Sequence, residues 1–218
     1  MEYSFGLGVE FEKIYIKPIV SEVIDETQSD QYYNAYGFIQ LDTYDDMYYP
    51  ESGSRFNALY KLIYNSTISP THFFTYRYEQ AVRISKKITI IPSLYGGITS
   101  ADSATTAYHF YLGSLNQYDR KGLMPFTGLN FMQVSTRNIA AAGLNVQYNF
   151  WKKNYIVFRV NAGVTSWDLY DLIEEENGIL GFGLSIGNNS IIGPIEVTFM
   201  GSNLHKEPLA YINIGYWF

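Results

Sequence analysis

The chain has 218 residues, no cysteine and a formal net charge of −6. This excludes disulfides and thiolate metal sites and argues against a nucleic-acid binder, which normally carries a basic stripe. Mean hydropathy is −0.11, and no run approaches the roughly 20 apolar residues of a membrane helix. Aromatic residues reach 17%, with 21 Tyr and 14 Phe; rings at a membrane interface explain this, and so does an aromatic-rich soluble sandwich.

The opening "MEYSFGLGVEF" starts directly on a strand pattern, without the basic and apolar regions of a signal peptide. For an exported protein this predicts a mature or excised piece of a longer precursor. The first strand runs from Tyr3 to Pro18, with Phe5, Leu7, Val9 and Phe11 alternating against Ser4, Gly6, Gly8 and Glu10. A polar loop leads to a second strand, Tyr32 to Asp45, and then to "DDMYYPESG", where Pro50 and Gly53 punctuate a turn. Strand three is Arg55–Tyr64. Strand four, His72–Ile84, sets Phe74, Tyr76, Tyr78 and Val82 against Thr75, Arg77, Glu79 and Arg83. Charges of both signs in mid-strand need water or each other, which fits a polar lumen better than a dry core.

Strands five to seven are expected at Ile88–Thr99, Thr105–Gly113 and Leu123–Val134. Strand eight, Ala140–Phe150, alternates most cleanly: Ala142, Leu144, Val146 and Tyr148 face out, while Gly143, Asn145, Gln147 and Asn149 face in. Strands nine to eleven follow at Tyr155–Trp167, Ile179–Gly187 and Ile195–Gly201, with Arg159 and Glu196 on the polar faces. Strand twelve, "LAYINIGYWF", places Ile212, Ile214, Tyr216 and Phe218 in one row. No segment sustains a 3.6-residue period.

The fold expected is therefore all-β: one domain over residues 1–218, an antiparallel up-and-down transmembrane β-barrel of about 12 strands with little or no helix. Its polar lumen would be lined by Arg77, Glu79, Arg83, Asn145, Gln147, Arg159 and Glu196. With the last strand running toward the periplasm, the short turns at Lys86–Lys87 and Lys152–Asn154 fall inside and most long connections outside. Asp45–Gly53 and Ser114–Gly122 are longer than that rule prefers. A soluble β-sandwich with each apolar face on a second sheet remains the alternative.

Candidate chemistry is sparse. Gly183–Gly187 matches the G-x-S-x-G nucleophile elbow, but it lies inside a strand with nothing helical after it; glycines that ease curvature or oppose aromatic rings explain it better. His72, His109 and His205 lack ligand spacing, so no metal or cofactor is expected. Asp42, Asp45 and Asp46 cluster near a turn, as weak cation ligands or solvated acids.

The stretch "FIQLDTYDDMYYPESGSRFNALYKLIY" resembles the D-T-x-D-x-x-x-x-P-x-x-G turn of the bacterial surface-antigen outer-membrane barrels, with Asp42, Thr43, Asp45, Pro50 and Gly53 as the signature. "YLGSLNQYDRKGLMPFTGL", "GFGLSIGNNSIIGPIEVTFMGSN" and the ending "INIGYWF" are similar to barrels that follow bacterial patatin-like phospholipases. The resemblance implies a bacterial outer-membrane location and 16 strands, against the twelve counted. It further implies an N-terminal lipase passenger that the barrel anchors or exports. No catalytic residue carries over, because Ser185 has neither elbow context nor a D-G-[GA] partner, so this chain is not expected to be an enzyme. Expected partners are outer-membrane lipids and the barrel-assembly machinery, which would read Ile214, Tyr216 and Phe218 by strand addition; nothing points to nucleic acid or to an oligomeric state. A small diffusion pore and a soluble ligand-binding barrel are the alternative functions.

Overall fold

The computed structural model describes residues 2–16, 28–65, 68–101, 106–115, 122–173 and 178–215. Its strands are β1 Glu2–Ile16, β2 Gln28–Asp42, β3 Gly53–Asn65, β4 Ile68–Arg83, β5 Ile88–Thr99, β6 Phe110–Leu112 and β7 Leu123–Met124. They continue with β8 Val134–Thr136, β9 Asn138–Trp151, β10 Asn154–Ser166, β11 Gly178–Ser190, β12 Gly193–Ser202 and β13 Leu209–Ile214. Two 3-10 turns, Thr106–Tyr108 and Tyr170–Ile173, are the only helical pieces among the described residues.

Ten strands form one wall in the order β1-β2-β3-β4-β5-β9-β10-β11-β12-β13. Every neighbour is antiparallel. The wall is built from period-two sequences, as alternation demands. One face carries the apolar rows: Phe5, Leu7 and Val9 are 87%, 92% and 87% exposed, and Phe158, Leu184 and Phe199 are also exposed. Cross-strand register keeps these rows together, as in Phe158↔Leu184 and Leu184↔Phe199. The β4–β5 pairing lapses between Glu79↔Ser93 and Val82↔Ile90, where Pro92 has no N–H to donate. Among the described residues β1 and β13 have no strand on their outer edges.

The expected strands six and seven do not join the wall. β5 pairs directly with β9, from Ile98↔Asn138 to Ile88↔Tyr148. Of the residues between them, 106–115 and 122–137 fold onto the inner face, where β7-β6-β8 make a separate three-stranded sheet. The physical reason is composition: "FYLGSL" and "GLMPFTGLNFM" are apolar on successive residues and broken by Pro125 and glycines. They suit a compact insert rather than a two-faced strand. Because two expected strands left the wall together, the alternation of inner and outer connections is unchanged.

The inner face changes character along the strands. At the end where residues 100–137 enter, it is dry: Tyr32, Ile63, Phe73, Ile139 and Ile179 pack with Tyr108, Phe110, Leu112, Phe126 and Leu129 of the insert. Phe73 and Phe110 stack with ring centroids 4.9 Å apart. Further down the inner face turns polar, as the charged alternation predicts. The polar lumen expected from residues such as Asn145 and Gln147 therefore occupies only part of the interior.

Candidate functional site

The polar part of the lumen is organised by ion pairs that reach over an intervening strand. Lys61 on β3 contacts Glu10 on β1 at 2.9 Å, crossing β2. Arg159 on β10 contacts Glu196 on β12 at 3.1 Å, crossing β11 where the small Ser185 lies beneath and accepts a second guanidinium hydrogen bond. Arg77 and Glu79 pair at 2.6 Å within β4, and Arg77 also covers the Tyr95 ring at 5.2 Å. A buried ion pair gains little net stability, but removing one partner strands the other. The two pairs that cross a strand therefore tie β1 to β3 and β10 to β12.

Five of the seven expected lumen residues, Arg77, Glu79, Asn145, Arg159 and Glu196, line one cavity of about 210 Å³. Gln147 is buried but away from it, at 3% exposure. Arg83 sits at the rim and pairs with Glu51. A larger cavity of about 610 Å³ lies between the insert and the β1–β5 half, lined by Glu10, Lys61 and Arg77 together with Phe38 and Leu59 of the wall and Met124 of the insert.

The β2–β3 turn completes the site. Its acids are structural: Asp42 pairs with Arg55 at 2.7 Å and accepts from the Tyr44 amide. Asp45 accepts from the amides of Glu51 and Ser52, and Asp46 from those of Tyr48 and Tyr49. Thr43 bonds across the turn to Ser54. Gly53 has φ +99, and a Cβ there would strike the Thr43 carbonyl, so only glycine closes the turn without strain. The motif residues Asp42, Thr43, Asp45 and Gly53 thus shape the loop, and Pro50 is buried within it.

Shaped this way, the turn crosses the lumen. Tyr49 stacks on Tyr155 of β10 with centroids 4.1 Å apart and planes 6° from parallel. Its hydroxyl donates to Glu196 of β12 at 3.2 Å. Asp46 receives Asn189 of β11 at 3.0 Å. Burial, then the Glu196 charge, push the Tyr49 phenol well above the usual tyrosine range, so it stays a neutral donor. Sequence reading did not single out Tyr49, Tyr155, Glu10, Glu12 or Lys61.

One signal was available: the glycines of β11. Side chains at Gly181 and Gly183 would collide with Thr127 of the insert, and one at Gly187 with Tyr49. The series is the footprint of two segments lying against the wall. Ser185 within it is fully buried and shares a 2.6 Å hydrogen bond with Thr198; no histidine or free carboxylate addresses it, and the elbow geometry is absent.

His72 meets the Tyr60 hydroxyl at 2.7 Å. His109 lies edge-on to Trp167, and His205 follows β12. No three metal-ligating side chains come together among the described residues. Ile214 pairs with Ile195 and is 68% exposed; Tyr216 and Phe218 lie outside the described residues, as do 17–27 and 174–177.

A family model described as the OMP85 superfamily matches residues 1–218. The chain belongs to that superfamily. Membership and the apolar outer rows place it in the bacterial outer membrane and remove the soluble sandwich. Among solved structures, it resembles BamA from Haemophilus ducreyi lacking POTRA domains 1–3, with a TM-score of 0.64 at 12% identity. That match covers 97% of this chain and 49% of the other, so the chain spans about half its length. No curated protein matches. Superfamily barrels are membrane domains.

Proposed function

We propose that this barrel anchors a fused passenger in the outer membrane, with a patatin-like phospholipase domain as the passenger that the sequence resemblance suggests. The observation that carries this reading is the occupied lumen. Phe110 and Phe126 of the insert are fully buried against the wall, and the β2–β3 turn crosses the opposite end. An open diffusion pore needs a continuous water path, and these two segments stand in it. By the rule that short turns face the periplasm, the Lys86–Lys87 and Lys152–Lys153 turns are periplasmic and the insert enters from outside. Ile214, Tyr216 and Phe218, which alternate in the sequence, are the signal we assign to the assembly machinery, read by strand addition.

Export of the passenger is the second reading, favoured by the cavity of about 610 Å³ with Glu10, Lys61 and Arg77 in its lining, which would widen if the insert moved. Planar-bilayer recording separates anchor from pore: the wild-type chain should be electrically silent, and steady ohmic conductance would overturn the proposal. A reporter fused before Met1 should stay with the membrane after alkaline carbonate washing; its release would do the same.

A further inference from the structure

Three neighbouring turns along one rim share an unusual chemistry. The β4–β5 turn presents Lys86 and Lys87, the β9–β10 turn Lys152 and Lys153, and the β11–β12 turn Ile191 and Ile192. All six side chains are exposed, Ile191 at 94% and Ile192 at 63%. The first two turns adjoin because β5 pairs with β9, and the Asn149 amide donates to the Lys87 carbonyl at 2.8 Å. The last two adjoin because β10 pairs with β11. The β9–β10 tip projects about three residues, roughly 10 Å, beyond Lys87. The tilt of about 35–45° in membrane barrels brings such stepped tips to a common height.

The lysines are not used within the fold. The carboxylates of the β2–β3 turn are already held: Asp42 by Arg55, Asp45 and Asp46 by amides, Asp46 also by Asn189, and Glu51 by Arg83, while Glu2 lies on the edge strand β1. None of the four lysines has an ion-pair partner among the described residues. Lys152 instead lies 5.3 Å over the ring of Trp151, which is 63% exposed. Tyr148, exposed on the outward row of the same strand, marks the membrane–water interface, so the lysines just beyond it stand at headgroup depth. Two isoleucines at a turn tip are poorly placed in water and well placed at the boundary between headgroups and acyl chains.

We propose that these turns form a docking site for anionic phospholipids of the adjoining leaflet. Lys86, Lys87, Lys152 and Lys153 hold the headgroup phosphates, and Ile191–Ile192 enter the acyl boundary. This assignment needs only the membrane placement of the barrel and is independent of any passenger.

The full chain is reconstituted in nanodiscs of phosphatidylcholine with and without phosphatidylglycerol, and the retained lipid is counted by native mass spectrometry. Wild type should retain phosphatidylglycerol preferentially, and the preference should fade at high salt. Replacing all four lysines by glutamine should lower it about tenfold or more, each lysine near a charged surface contributing on the order of fivefold. Lys206→Gln, in the connection at the opposite end, should leave it unchanged. Heat-modifiable migration on gels reports folding. If the fourfold variant does not fold, the pairs Lys86→Gln/Lys87→Gln and Lys152→Gln/Lys153→Gln are read instead. Equal retention by wild type and variants overturns the proposal. So does competition by inorganic phosphate at matched concentration, which would mark a small-anion site.

Discussion

Tyr49 ties the first half of the wall to the second through one ring and one hydroxyl. It is 3% exposed and touches β10 and β12 from a turn between β2 and β3. Truncating a buried aromatic side chain costs about 3–5 kcal/mol, so Tyr49→Ala should lower the thermal midpoint of the folded band on heat-modifiable gels. Tyr49→Phe keeps the stack and loses a hydrogen bond to a carboxylate, a deficit of about 1.5–3 kcal/mol. The raised phenol also gives the contact a pH dependence. An unfolded tyrosine ionises near pH 10, and the folded one above that. The docked turn is therefore at full strength below about pH 10 and loses stability as pH rises beyond it. Melting curves across this alkaline range should fall more steeply for wild type than for Tyr49→Phe.

At the scale of elements, alternation made most wall strands legible. Each of β1–β5 and β9–β13 separates an apolar row from a polar or small one, and a one-residue slip would invert both. The infolded segment was not legible for the complementary reason. Its residues 108–112 and 122–129 are buried or half-buried on both sides, and a buried run has no period to read. The turn signature around Asp42 was visible, but its destination was not: reach across a lumen is a property of the curved sheet, and only Gly187 hinted at it. Such small residues offer a test that leaves the membrane-facing rows intact. Gly181→Val should push Thr127 and Phe126 off the wall. Limited proteolysis should then cut within residues 122–136, and silent bilayers should begin to flicker. Unchanged protection would mean that the insert is held elsewhere, for instance by Tyr108, whose hydroxyl donates to Glu12 at 2.6 Å.

For the whole molecule, the wall is two five-stranded meanders, β1–β5 and β9–β13, joined at a single pairing. Within each, the connections at Lys86–Lys87, Lys152–Lys153 and Ile191–Ile192 are tight; between them stand residues 100–137. Closing that span costs about 2 kcal/mol more entropy than closing a tight hairpin, since each doubling of length adds about 0.6 kcal/mol. The joining pairs should thus be late. Pulse-labelled hydrogen exchange during refolding should protect β10–β11 amides before those shared by β5 and β9. Simultaneous protection would contradict this order.

The direct β5–β9 pairing also bears on how the insert gets inside. Phe110 and Phe126 have no exposed surface, and the segment that carries them is the one that joins the two meanders. Its seating on both of them brings β5 and β9 within reach of each other. The insert then acts as a template on which two independently formed half-walls find their register, and biogenesis becomes a wrapping rather than a filling.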